Sequence, residues 1–347
     1  MNRRSLLSLC LASAALVATP SLASAQNGPI IIKLATKAPK DSTWHKLLVE
    51  ASQRIREFSG DKVQFKIFYG GTMGDEGDNV KKMRIGQLHA AAISSVGLHD
   101  IAPEPQALDI PLLVKNNEER DYLLKKYAPK LEEILANPKQ TEVNQKPFPV
   151  VVLSWSDIGS TYFFSTKPRP TIADARQAKM FCWDGDLASR DAWKAGGFKP
   201  VVLSSNDMVP SLKTGMIDTI LYTPGLVLAL QAHKDAKYMM NVPYSSLTGA
   251  TIIDKRIWDQ IPPNVQAKMK EVFAELGLKS TQEARRFNAE AIATMKRDGL
   301  QEITVSDPAE WQKAVDSVRS VIRGRVVPES SFDEVIQIVK EYRAGKR

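Results

Sequence analysis

The chain has 347 residues and a formal net charge of +8, from 47 Lys and Arg against 39 Asp and Glu, with only two cysteines. The charges are interspersed and no basic block carries interleaved aromatics, so the positive balance reads as a solvated surface and not as a nucleic-acid footprint. The length exceeds one ordinary domain and predicts two lobes, with no internal repeat and no low-complexity tract to suggest a solenoid or a tail.

Residues 1–25 read as a signal peptide. Arg3-Arg4 precedes an uncharged run, Leu6 to Val17, and the small-residue site Ala23-Ser24-Ala25. The run falls short of the roughly 20 residues a membrane helix needs. Arg3-Arg4-Ser5-Leu6-Leu7 leaves a twin-arginine signal open beside the general secretory route. Leu9 before Cys10 is not small, which argues against a lipid-anchored cysteine. Cleavage after Ala25 lowers the formal charge from +8 to +6 and places the chain in the periplasm with Cys182 as its only cysteine. No internal disulfide is then possible, and stability must come from the core.

Ile30 to Thr36 predicts a buried strand. A helix follows over 41–58, with Trp44, Leu47, Leu48, Ala51 and Ile55 as one apolar stripe for the core. Val63, Phe65 and Ile67 alternate with polar residues as a half-buried strand. The glycine-rich turn 70–74, a helix over 76–85 and a strand over 90–94 complete an alternation that means a mainly parallel sheet. A polar helix over 117–135 leads to the strand Val150 to Trp155. Strands at 179–183, 201–203 and 217–222, with helices at 187–195 and 208–214, make a second α/β unit running to about residue 242. From about residue 254 the pattern is helical. One late helix opens at Asp307-Pro308 and ends near Gly324; Pro328 separates it from a last helix opened by a capping box of Ser331 and Glu334.

Motifs for catalysis are absent. There is no Gly-x-Ser-x-Gly turn, and the 70–77 glycines lack the Gly-Lys-Ser/Thr of a nucleotide loop. His45, His89, His99 and His233 show no metal spacing, and Asp184-Gly185-Asp186 fails as a calcium loop because Ala195 stands where the bidentate Glu belongs. Neither a metal nor a cofactor is implied. Cys182 leaves a thiol enzyme as a remote reading, against an ordinary buried thiol.

Several segments together resemble the substrate-binding proteins of TRAP-type (tripartite ATP-independent periplasmic) transporters. These are Ile32 to Thr36 with Ala38-Pro39-Lys40-Asp41-Ser42, Tyr69 to Asp75, Arg84-Ile85-Gly86-Gln87-Leu88, and Ala107-Leu108-Asp109-Ile110-Pro111-Leu112-Leu113. Gly197 to Val201, Ser211 to Asp218 and Trp258-Asp259-Gln260-Ile261-Pro262 continue the pattern, which runs from about residue 30 to about 300. The resemblance implies an α/β, type II-like two-lobed periplasmic-binding fold with a long bracing helix and C-terminal helices. Residues 26–149 would form the first lobe and 150–242 the second. Residues 243–347 would return to the first lobe with the bracing and C-terminal helices. It implies no enzyme, but a receptor that closes on a small-molecule ligand and hands it to membrane subunits, as a monomer or a homodimer.

The family pattern carries Gly-Leu-Lys-Ile-Arg on the strand entering the second lobe, and that arginine grips a ligand carboxylate. Here the run is Gln177-Ala178-Lys179-Met180-Phe181. Losing one partner of such a pair costs about 2–5 kcal/mol. Either the ligand lacks a carboxylate, with Phe181, Trp183, Trp155, Tyr162 and Tyr222 as ring contacts, or another cation such as Lys37 or Arg190 substitutes. The candidate ligand residues are Thr36, Lys37, Ser94, Ser95, Trp155, Phe181, Trp183, Asp184, Asp207, Tyr222 and Thr223, placed by family position or at strand ends. The competing roles are core packing for the aromatics, a solvated charge for Lys37 and Arg190, and a cap with Ser204 for Asp207. Trp193 and Trp258 read as core or lobe interface. A binding protein used for sensing or as a scaffold stays open beside transport.

Overall fold

The computed structural model describes residues 28–140, 146–184 and 186–345. The predicted signal peptide, Cys10 and the cleavage site after Ala25 lie outside the described residues. Ten strands are ordered along the chain: β1 Ile30–Thr36, β2 Val63–Phe68, β3 Ala90–Ser94, β4 Val150–Ser165, β5 Lys179–Trp183, β6 Lys199–Leu203, β7 Thr219–Tyr222, β8 Tyr238–Met240, β9 Ser245–Asp254 and β10 Gln301–Ile303.

Their spatial order is β2-β1-β3-β9-β4-β7-β5-β6, with β8 paired to β4 and to β10. β1 is parallel to β2 and β3, and β5 is parallel to β6 and β7, as right-handed βαβ units require. β4 and β9 run antiparallel between these two parallel halves and belong to both. This is a two-lobed α/β fold with a pair of crossing strands.

Each lobe has its own core. Ile32 and Leu34, two apart on β1, pack with Ala51 and Ile55 of helix Thr43–Phe58 and with Met269 and Phe273 of helix Pro263–Arg297. In the second lobe Phe164, Leu212, Ile217 and Ile220 pack with Ala291 and Met295 of that same helix. At 35 residues the helix is about 52 Å long, enough to brace both lobes. It crosses β4 where Gly277 leaves room: a Cβ there would sit 2.6 Å from the Trp155 carbonyl oxygen. Helix Pro308–Arg325 packs on helix Leu187–Ala195, and helix Glu329–Gly345 on helix Asn117–Ala136.

Several elements differ from expectation, among them the strands β8 and β10, the latter in a stretch expected to be helical. β4 does not stop at Trp155 but runs to Ser165, with two register shifts, between Val152 and Ser154 and between Asp157 and Gly159, carried within the strand. Gly159 has φ +126°, and its missing side chain admits Asn288, whose Nδ2 donates to the Ile158 carbonyl at 2.9 Å. β9, opening on Ser245-Ser246, was not foreseen; polar residues start it, yet nearly all of it is buried. The last helix begins at Glu329, directly after Pro328, whose carbonyl accepts from the Phe332 N–H at 2.9 Å. Ser331 is therefore a buried residue of the first turn and not a cap.

A charged cluster sits beside the β4 irregularities. Arg120 donates to Asp157 Oδ2 at 2.7 Å, to Ser160 Oγ at 2.7 Å and to Ser246 Oγ at 2.9 Å. Arg285 of the bracing helix donates to the same Asp157 oxygen at 2.9 Å and to Asp121 at 2.5 Å. Asp157 is 2% exposed and Arg120 7%. Both guanidiniums thus have carboxylate partners, the condition under which buried charge is tolerated.

Candidate ligand cleft

A cavity of about 850 Å³ lies between the lobes. Its first-lobe wall comes from the ends of β1 and β3 and from Trp44, Leu47 and Leu48. Its floor is the crossing pair, with Ser154, Ser156 and Ile158 of β4 and Leu247, Gly249 and Ala250 of β9. The second lobe contributes Phe181, Trp183, Leu221, Tyr222 and Thr223, and the bracing helix adds Phe287. The volume is within the range of organic-ligand sites, and the lining is mainly hydrocarbon, as such sites usually are.

Of the candidate residues, the structure brings Thr36, Lys37, Ser94, Phe181, Trp183, Tyr222 and Thr223 to this cavity. Four lie elsewhere. Trp155 faces the opposite side of β4 from Ser154 and Ser156, because side chains alternate across a strand; its Nε1 donates to Glu132 at 3.2 Å. Ser95 is fully buried one step behind Ser94 and donates to Asp109. Asp184 is exposed beyond the end of β5. Asp207 is exposed and accepts from Ser204 Oγ at 2.6 Å, the cap-like pairing that competed with a ligand role. Arg190 is paired to Asp191 at 2.8 Å and does not line the cavity. Tyr162 is not part of the lining either.

Other cleft residues were assigned to the core or missed. The Trp44 stripe does face inward, but what it faces there is the cavity; Trp44 meets Phe287 edge-on at 6.3 Å. Trp193 also lines the cavity, stacked on Tyr244 at 5.2 Å. Asp75, Glu76, Gln106, Asp109, Ser205 and Tyr244 were not singled out for the site. The available signal was position: Asp75 and Asp109 fall in the loops that carry the family resemblance.

The electrostatics are unusual for their lack of free charge. Lys37 Nζ donates to Asp75 Oδ1 and to Ser205 Oγ, both at 2.8 Å, and lies 5.4 Å from the Trp183 ring centre. Trp183 Nε1 donates to the other Asp75 oxygen at 3.2 Å. These four residues span the cleft, two from each lobe, and clasp it shut. Burial pushes the Asp75 carboxyl up, but the Lys37, Trp183 and Ser205 contacts outweigh it and hold the group below its usual range.

Deeper in, Glu76 accepts from the Ser94 N–H and Oγ, and Asp109 from Ser95, the Thr248 N–H and Thr248 Oγ1. Burial drives both carboxyls up, Asp109 to about 7, since only hydroxyl and amide donors touch them. Burial likewise pushes the Cys182 thiol up to about 12, helped by Asp186, so it is held protonated and unreactive. Among the described residues no group of three or more His, Cys, Asp or Glu is placed to hold a metal. No helix among them is long and apolar enough to cross a membrane.

Residues 34–323 match the family model described as bacterial extracellular solute-binding protein, family 7. The C4-dicarboxylate-binding periplasmic protein DctP of Rhodobacter capsulatus is 20% identical over 322 residues, which is 90% of this chain and 91% of that protein. A TRAP periplasmic solute-binding protein of Pseudomonas putida F1, solved with D-glucuronate, superposes with a TM-score of 0.79 at 20% identity, covering 89% of this chain and 96% of that one. A Bordetella pertussis extracytoplasmic solute receptor binding pyroglutamic acid superposes with a TM-score of 0.77 at 15% identity, covering 89% and 99%. At these identities the structural likeness speaks for the fold.

Proposed function

We propose, from the premise that this chain belongs to the family 7 bacterial extracellular solute-binding proteins and is a TRAP-type substrate-binding protein, that it captures a small solute between its lobes and delivers it to the membrane subunits of its transporter. The observation that carries this reading is the clasped cleft. Lys37 and Asp75 of one lobe meet Ser205 and Trp183 of the other across an organic-ligand-sized cavity. Opening would proceed by a hinge in β4 and β9, the strands the lobes share.

In this reading the lobes divide as 26–149 and 150–242, with the remaining chain returning through the bracing helix. The mature protein starts at Gln26 in the periplasm. One chain supplies the whole cleft, so a monomer or a homodimer serves equally. In this reading the protein acts on its solute by binding, as its membership of a solute-binding family supports. Phe181 stands where the family pattern expects arginine, so the solute is held without a guanidinium–carboxylate pair. The relatives named above bind carboxylates. The same ligands here would meet Lys37 as the nearest cation, already engaged by Asp75.

Native mass spectrometry of freshly purified protein, with release and identification of whatever is bound, tests this reading, because a tight ligand stabilises the closed form and survives purification. The expected result is one small molecule per chain, and a contraction in solution scattering when it is added back. Saturable binding of no small solute, together with tight binding of a protein partner, would replace transport by a sensing or scaffold role.

A further inference from the structure

We infer that this cleft takes an uncharged, mainly hydrocarbon solute and not an organic-acid anion. This rests on the reading of the chain as a solute receptor and names the class of solute. Four observations carry it. First, no arginine or histidine is among the residues lining the cavity, and Lys37 is its one lysine. Second, Lys37 is neutralised by Asp75 and also donates to Ser205. A ligand carboxylate would add a further negative charge to a cavity that already contains Glu76 and Asp109, with no cation to offset it.

Third, these two acids of the cavity already accept hydrogen bonds from the protein, so neither is a carboxylate held unpartnered for a cationic solute. Glu76 is engaged by Ser94, and Asp109 by Ser95 and Thr248. Fourth, the walls are side chains such as Trp44, Phe287, Phe181 and Leu247, which return free energy for every apolar ligand surface removed from water.

The test uses the full mature chain and the neutral fluorophore N-phenyl-naphthylamine, displaced in turn by decanol, decanoate and D-glucuronate. The fluorophore is expected to bind saturably at one site per chain, and decanol to displace it at about tenfold lower concentration than decanoate. Decanoate or D-glucuronate matching or beating decanol overturns the uncharged class while leaving the receptor reading intact. Failure of the probe, both decyl compounds and D-glucuronate to bind, with nothing released from the native protein, brings down both.

Discussion

Two regions of this molecule bury charge in opposite ways. Where β4 and β9 cross, Asp157 is gripped by Arg120 and Arg285, and every charge has a partner of opposite sign. In the cleft, Asp109 and Glu76 are half-buried and are held by hydroxyls and backbone amides. The guanidiniums of this stretch of the protein stand in the frame, and none faces the cavity. The difference shows what each region must do. The crossing has to hold one geometry while the lobes move, and a paired cluster with directional hydrogen bonds does that. The cleft has to exchange water for a solute, and fixed unpaired charge there would penalise every uncharged occupant.

The contrast breaks most sharply at Asp157. Asp157→Asn leaves the buried Arg120 guanidinium facing a neutral amide, while the half-buried Arg285 keeps Asp121, and should cost about 3–5 kcal/mol of stability, read by denaturant unfolding with the slope checked for two-state behaviour. The next effect is in the cleft and depends on pH. The folded Asp109 carboxyl titrates near 7, above its ordinary 3.8, so the native state binds its proton more tightly than the unfolded chain. Its contribution is fully present below the lower value and is lost as pH rises through the higher one. The wild type should therefore lose on the order of 4 kcal/mol across that window. Asp109→Asn, a permanently neutral stand-in beside Ser95, Thr248 and the more distant Arg120, should flatten the profile of melting temperature against pH. Part of the slope should survive through Glu76, which burial also pushes up. The smallest effect belongs to the clasp. Lys37 is 36% exposed and its pair with Asp75 partly solvated, so Lys37→Ala should change stability by less than about 1 kcal/mol. Solution scattering of the unliganded variant should nonetheless show a more open particle, since the clasp is made only when the lobes meet. An unchanged particle size would mean that closure does not depend on it.

Much of this was legible beforehand. The alternation of strand and helix, the parallel halves and the helical C-terminal region follow from period and punctuation, because local sequence sets which face of an element is apolar. Thr36, Lys37, Ser94, Tyr222 and Thr223 were found at strand ends, where open α/β sheets present their ligand groups. Trp155 and Trp44 show the limit. Both are large aromatics on apolar elements, and their patterns say only that they point inward. Trp155 points into packed core beside Glu132, and Trp44 into the cavity. A stripe cannot tell a filled interior from an empty one, since that depends on what arrives from the other lobe.

The amino-acid sequence by itself determined the fold class and the family. These are properties of local pattern and order. Only the tertiary structure decided which charges neutralise one another. Lys37 meets Ser205 across 168 positions of chain, Arg120 meets Ser246 across 126, and Thr248 reaches Asp109 across 139. Such pairings are set by how two lobes close and two strands cross, and no spacing along the chain encodes them. That is why the family could be read from short motifs in order, while the pairing of the charges in the cleft emerged only when all its neighbours were in place.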